Sequence, residues 1–278
     1  DLDGTALRTD KTVSPATAQA FTSCQEAGIP VAIATARYIA GARPYANALK
    51  PAYQILTDGT LVYRQNTLLY SNAMDVNTTN QLLQELVRCG YAEHVAIPTV
   101  YGLFRYPQGG DTPDYQKLAM QDTPDFTAKA FQNTASGNTI GYQFDIYKPF
   151  PFPANKVVAN LPSEQEGERI ASECGCSQFH YRGETLYTFF HPTASKLDAI
   201  AHVAQHLGIT VEDVLVFGDD INDLEMIRGC GMGVAMGNAL PQVRAAADQV
   251  IGTNEEDGLA AFLFEQLPDW RKNSSISR

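Results

Sequence analysis

The stretch Asp213-Val214-Leu215-Val216-Phe217-Gly218-Asp219-Asp220-Ile221-Asn222-Asp223 holds a strand and a candidate site in one run. Its first half, Asp213 to Phe217, suits a strand buried on both faces of a parallel sheet. Its second half packs three carboxylates and an amide into the five residues 219–223. Carboxylates this close repel one another. They also supply the hard oxygen ligands that Mg²⁺ prefers. A helix start capped by asparagine would explain Asn222, but not three aspartates at the end of an apolar strand. Ligands of open α/β sheets sit beyond the carboxyl ends of the strands, so the run reads as a metal site at a strand's carboxyl end.

Working outward, Ser195 to Leu207 reads as a helix ended by Gly208. Short helical and strand segments follow to Phe264, and the polar tail after Leu267 reads as frayed. At the other end of the chain, Ser14-Pro15 is a helix cap followed by proline at the first helical position. Ala18, Phe21, Cys24 and Ala27 then recur at helical spacing up to Gly28. Ile29 to Ala34 reads as a second buried strand, Ile39 to Leu49 as a helix, Tyr53 to Leu56 as a strand and 61–70 as a hairpin.

The middle of the chain has a different texture. Asn77 to Arg88 is helical, and 91–139, rich in Pro, Gly, Thr and Asp, yields no element. Tyr142 to Tyr147 and Lys156 to Leu161 read as strands, and Ser163-x-x-Glu166 as a capping box opening a helix to Cys174. Gln178 to Arg182 and Thr185 to Phe190 read as a strand pair around Gly183. Alternation in Tyr142, Phe144 and Ile146 suits one core-facing side of a strand; Tyr101, Phe104, Tyr142, Phe144 and Tyr147 could also line a substrate-facing surface of the inserted domain, with core packing the plainer account. The expected fold is therefore α/β, a doubly wound parallel sheet interrupted by an inserted α+β domain.

Composition bounds the partners. The chain has 278 residues, 44% hydrophobic and 18% charged, with a formal charge of −11. That balance is globular and argues against nucleic acid or an anionic membrane as the main partner. It leaves room for an anionic small molecule, since one metal ion and one lysine reverse a local field. No apolar run approaches the ~20 residues that span a bilayer. The five cysteines are scattered, and Cys174-Gly-Cys176 lacks the spacing and partner pair of a zinc site; reduced thiols in a cytosol are expected. His202 and His206, at i and i+4, read as a solvated helix face.

Three further clusters fall at strand ends or a helix start. Asp1-Leu2-Asp3-Gly4-Thr5 sets two carboxylates at i and i+2, so that one could act as nucleophile and the other move protons; it reads equally as an Asp-Gly surface turn. Thr35-Ala36 offers a hydroxyl and free N–H groups to a phosphate, or a simple cap. Lys196 places a cation at a helix N-terminus, against the macrodipole. An anion beside it would repay that; a solvated lysine is the plainer account.

In this order the clusters resemble the four motifs of the haloacid dehalogenase (HAD) superfamily: DxDGT, a Thr after the second strand, a Lys at a helix start, and GDxxND. Gly233 to Ala239 and Asn254-Glu255-Glu256-Asp257-Gly258 are similar to the Cof-type branch, which carries a type IIB cap. The resemblance implies a Rossmann-like core over 1–75 and 187–278, with the cap over 76–186. It also implies an apolar strand ahead of the first Asp, and so a natural chain continuing upstream of Asp1. The sequence departs from the family pattern at Ala36, Leu197 and Asp58, where the family commonly has Gly, Gly and Asn. No departure removes a reacting group, and Asp58 adds negative charge that bears on substrate preference.

The resemblance implies an enzyme, a cytoplasmic Mg²⁺-dependent phosphatase of small phosphorylated metabolites such as sugar phosphates or cofactor-type phosphomonoesters. Asp1 would attack phosphorus and Asp3 would act as acid and base. Asp1, the Asp3 carbonyl and Asp219 would bind Mg²⁺, with Asp223 holding a metal-bound water or positioning Asp219. Thr35, the Ala36 amide, Lys196 and Asn222 would contact phosphoryl oxygens. Two alternatives stand beside this: a phosphotransferase or mutase on the same scaffold, and a non-enzymatic receiver-like module phosphorylated on Asp. Nothing in the sequence sets the oligomeric state.

Overall fold

Helix α1 (Pro15–Glu26) begins as its sequence dictates: the Ser14 hydroxyl accepts the Thr17 N–H at 3.0 Å, and proline fills the first turn. Its buried face is Thr17, Ala20, Phe21 and Cys24. Ala18 and Ala27, expected inside, are half-buried, because the i, i+3, i+4, i+7 stripe is set one residue earlier. These features belong to a computed structural model that describes residues 1–107, 110–120, 141–181 and 185–274. The chain divides into two compact units, Asp1–Ala36 with Ala42–Asn66 and Ser195–Arg278, and Arg37–Gly41 with Thr67–Ala194.

In the first unit, β1 (Ala32–Ala34) pairs in parallel with β2 (Tyr53–Leu56), which pairs antiparallel with β3 (Leu61–Arg64). Strand β1 is shorter than the apolar run that announces it. The Ile29 N–H turns back to the Cys24 carbonyl at 3.0 Å, and Pro30 has no N–H for a ladder. Helix α2 (Ile39–Leu49) leads into β2. Further along the chain, α6 (Lys196–Leu207) ends on Gly208 at φ +72. Strands β11 (Leu215–Gly218), β12 (Met232–Ala235) and β13 (Gln249–Val250) form a parallel sheet, with α7 (Leu224–Gly229) and α8 (Pro241–Ala246) between them.

The α/β character with parallel strands is as expected: β1 pairs in parallel with β2, and β11, β12 and β13 pair in parallel in turn. In β11, Val216 is buried while Leu215 and Phe217 are half-buried, so the strand is less enclosed than its apolar run suggests. Strand β11 starts at Leu215 because Asp213 is taken up in a 3₁₀ turn, where its carboxylate accepts the Thr210 N–H at 3.0 Å. Helix α9 (Gly258–Ser274) runs on past Leu267 and through Pro268, where the sequence reads a frayed tail. Its buried Leu259, Phe262, Leu263 and Leu267 anchor it.

The second unit is β4 (Thr67–Ser71), α3 (Val76–Arg88), β5 (Val95–Thr99), β6 (Gly102–Tyr106), α4 (Tyr115–Ala119), β7 (Tyr142–Gln143), β8 (Val157–Asn160), α5 (Glu164–Cys174), β9 (Ser177–His180) and β10 (Leu186–Phe190). Its sheet runs β7-β6-β5-β8-β10-β9, antiparallel except for β6 with β7. The region that yielded no element supplies β5, β6 and α4; its residues 108–109 and 121–139 lie outside the described residues, as does the Gly183 turn. The strand expected over Tyr142 to Tyr147 stops at Gln143, since Asp145 opens a turn that receives the Tyr147 N–H at 3.1 Å. Phe104, Phe144 and Ile146 are core residues, with Tyr101 and Tyr142 packed against them, whereas Tyr147 is 71% exposed. All five cysteines are free thiols.

Candidate active site

Ser195 accepts the Asp198 N–H at 3.1 Å and thereby fixes Lys196 as the first residue of α6. The Lys196 side chain is 1% exposed, and its ammonium donates to Asp223 at 2.6 Å and to Asp1 at 3.0 Å. These two carboxylates offset both the desolvation of the ammonium and the helix dipole it opposes. The plain reading of Lys196 as a solvated side chain is thus excluded.

Asp223 is fully buried and closes the 219–223 loop on itself. One oxygen takes Lys196; the other accepts the N–H groups of Asp219 at 2.9 Å and Asp220 at 3.1 Å. Burial opposes its ionisation, yet the Lys196 charge holds its pKa below the usual carboxylate range. Asp219 has the opposite balance: burial pushes it up to about 6, although the Thr5 hydroxyl donates to it at 2.7 Å.

Segments far apart in the sequence meet here. Carboxylate oxygens of Asp1, Asp219 and Asp223 lie within 4.8 Å of one another, a grouping that could hold a metal ion. Gly4 makes the approach possible. It sits at φ +76, and a β-carbon there would collide with the Asp219 carboxylate. The Asn238 amide donates to the Gly4 carbonyl at 2.8 Å. The Asp3 carboxylate is not part of the three-carboxylate group; it accepts from Lys11 at 2.8 Å and is 36% exposed.

Thr35 is buried at the end of β1. Its N–H donates to the Ile55 carbonyl at 2.9 Å, and its own carbonyl accepts the Asp58 N–H at 3.2 Å; Ala36 beside it is half-buried. Asn222 lies in the 3₁₀ turn Ile221–Asp223 and donates to Asp58 at 3.2 Å. Backbone and side-chain bonds therefore tie Thr35 to Asp58 and Asp58 to Asn222. No local pattern in the sequence marks Thr5, Lys11 or Asn238 for a role. Thr5 and Asn238 did stand within quoted motifs, and a local pattern carries no sign of a partner more than 200 positions away.

A model of the haloacid dehalogenase-like hydrolases matches residues 1–263. The chain belongs to that family. It is a HAD-type phosphatase of the Cof branch, and its named relatives are phosphatases. It is 30% identical over 279 residues to the pyridoxal phosphate phosphatase YbhA of Escherichia coli (strain K12), covering 96% of this chain and 97% of that one. It is 27% identical over 261 residues to the 5-amino-6-(5-phospho-D-ribitylamino)uracil phosphatase YcsE of Bacillus subtilis (strain 168), covering 94% and 91%. Its fold is similar to that of a HAD subclass IIB sugar phosphatase, with a TM-score of 0.75 at 18% identity over 95% of this chain and 96% of that one.

Proposed function

We propose that this HAD phosphatase hydrolyses small phosphorylated metabolites, sugar phosphates or cofactor-type phosphomonoesters, with Mg²⁺ and through a phosphoryl group carried on Asp1. The observation that carries the reading is the meeting of Asp1, Asp219 and Asp223 around one point, within 4.8 Å, beside the buried Lys196. The named relatives act on pyridoxal phosphate and on a phosphoribitylamino-uracil, which favours cofactor-type monoesters.

The donor set fits Mg²⁺: it offers hard oxygen ligands, and burial raises the pKa of Asp219 to about 6, a shift that a bound cation would oppose. Asp1, Asp219 and the Asp3 carbonyl would hold it. Asp223 has both oxygens committed and acts by fixing the loop. When bound, the ion offsets repulsion between a phosphate dianion and the carboxylates and stabilises charge developing in the transfer.

Lys196 keeps Asp1 ionised and hence nucleophilic. Asp1 attacks phosphorus, the ester bond breaks, and Asp3 donates a proton to the departing alkoxide. Asp3 then takes a proton from the water that hydrolyses the acyl phosphate, regenerating Asp1. Thr35, the Ala36 N–H, Lys196 and Asn222 hold phosphoryl oxygens. The core is 1–75 with 187–278, and the inserted cap, 76–186, chooses the leaving group. We assign the enzyme to the cytoplasm; no helix among the described residues is long and apolar enough to cross a membrane.

The test is phosphate release from a panel of sugar phosphates and cofactor-type monoesters with Mg²⁺ present. Release to water is expected, with no phosphoryl group passed to added hexose phosphates. Labelled phosphate appearing on the hexose would replace hydrolysis with transfer as the activity.

A further inference from the structure

The turn after β2 is built at a conformational cost. Thr57 and Asp58 have φ +56 and +57 in succession, and neither is glycine. A β-branched residue in the left-handed region is a genuine outlier, and such strain persists where the surroundings over-determine it, characteristically at functional sites. Here the surroundings are visible. The Asp58 N–H is held by the Thr35 carbonyl at 3.2 Å, and Gly59, at φ +92, packs so tightly on the Ser195 backbone that no β-carbon would fit. The turn is clamped between the end of β1 and the start of α6, the two places that supply Thr35 and Lys196. The product of this clamp is one side chain: the Asp58 carboxylate, 6% exposed, accepting the Asn222 amide at 3.2 Å.

We propose that Asp58 is a positioning residue that orients Asn222 for phosphoryl binding. An amide nitrogen carries two N–H groups. Committing one to Asp58 fixes the amide plane and its O/N sense, so the second N–H has a set direction toward a phosphoryl oxygen. A free asparagine presents its carbonyl oxygen as readily as its nitrogen, and a carbonyl facing a phosphate dianion is repulsive. Asp58 thus resolves an orientation that would otherwise cost binding energy. Its assigned role is exerted through Asn222. The inference rests on the phosphatase reading above and deepens its account of phosphate binding.

The test is a double-mutant cycle between Asp58→Gly and Asn222→Ala. Gly is chosen because it accepts φ +57 without strain. Two quantities are read: kcat/KM for a phosphomonoester hydrolysed by the wild type, and the inhibition constant of inorganic phosphate. Each single variant is expected to lower kcat/KM about tenfold and to weaken phosphate inhibition. The double variant is expected to match Asn222→Ala alone, since Asp58 has nothing left to orient. Asp58→Asn, which keeps an acceptor oxygen and tolerates the left-handed region, is expected to restore most of the activity. Losses that multiply in the double variant overturn the proposal. So does an Asp58→Asn enzyme as weak as Asp58→Gly, or an Asn222→Ala enzyme that inhibitory phosphate binds as tightly as wild type. Asp1→Asn distinguishes the two levels: if it retains turnover, the phosphatase mechanism fails; if it is inactive while the cycle is additive, only the role of Asp58 fails.

Discussion

Lys196 and Asp223 form a buried ion pair, 2.6 Å apart, with their side chains 1% and 0% exposed. Neither charge has water to fall back on, so the pair is worth far more intact than halved. Replacing Lys196 with Met leaves Asp223 and Asp1 uncompensated. The expected loss is about 3–5 kcal/mol of unfolding free energy, read by urea denaturation. The companion variant Lys196→Met with Asp223→Leu should recover part of that loss, although neither restores activity. A single Lys196→Met as stable as wild type would show that the pair is not desolvated in solution.

Asp1→Asn removes the proposed nucleophile while keeping the shape and an acceptor for Lys196. Turnover should fall by at least about 10³-fold with the fold intact. Acid quench of the wild type during turnover should trap a phosphoryl group on Asp1. A Mg²⁺-dependent rate close to wild type in Asp1→Asn would falsify the assignment.

Asp3→Asn should spare binding and lower kcat by about 10²–10⁴-fold, the usual scale for a general acid and base. The loss should shrink for substrates with acidic leaving groups such as p-nitrophenol, which need no proton to depart. An equal loss for alkyl and nitrophenyl esters would move the acid role to another group.

Gly4→Ala tests how the Asp1–Thr5 segment meets the Asp219 loop. The new β-carbon strikes the Asp219 carboxylate, and φ +76 strains any side chain there. Asp219 must swing away from Asp1. Mg²⁺ affinity should drop at least about tenfold and kcat/KM with it, measured by activity against Mg²⁺ concentration. Unchanged Mg²⁺ dependence would mean that Asp219 is not a ligand.

Much of the candidate site is legible in the sequence because its residues announce themselves locally. Asp219 and Asp223 follow an apolar strand, and Lys196 follows a capping serine, so motif and element coincide. The bonds that arm these residues were not legible. Asp58 with Asn222 and Thr5 with Asp219 join positions 164 and 214 apart. For the fold, α2 and β2 lie where the apolar pattern put them, since each is flanked by clear breaks. Strands β5 and β6 went unread because Pro98 and Gly102 stand inside them, residues that propensity assigns to turns.

The raised pKa of Asp219 gives a pH signature with a definite sign. Burial lifts it from 3.8 to about 6, so between those values the folded metal-free protein holds a proton that the unfolded chain has released. Stability must then fall as pH rises through that window, by at most about 3 kcal/mol, and level off above pH 6. Saturating Mg²⁺ favours the ionised carboxylate, so the slope should flatten or reverse when the ion is present. The same competition should weaken Mg²⁺ activation below pH 6. Urea unfolding from pH 4 to 7.5, with EDTA and with Mg²⁺, reads both effects. Asp219→Asn should abolish the difference between the two curves. A metal-free stability that climbs steadily across the whole range would mean that Asp219 ionises near its ordinary value, and that its burial is compensated by a group other than a cation.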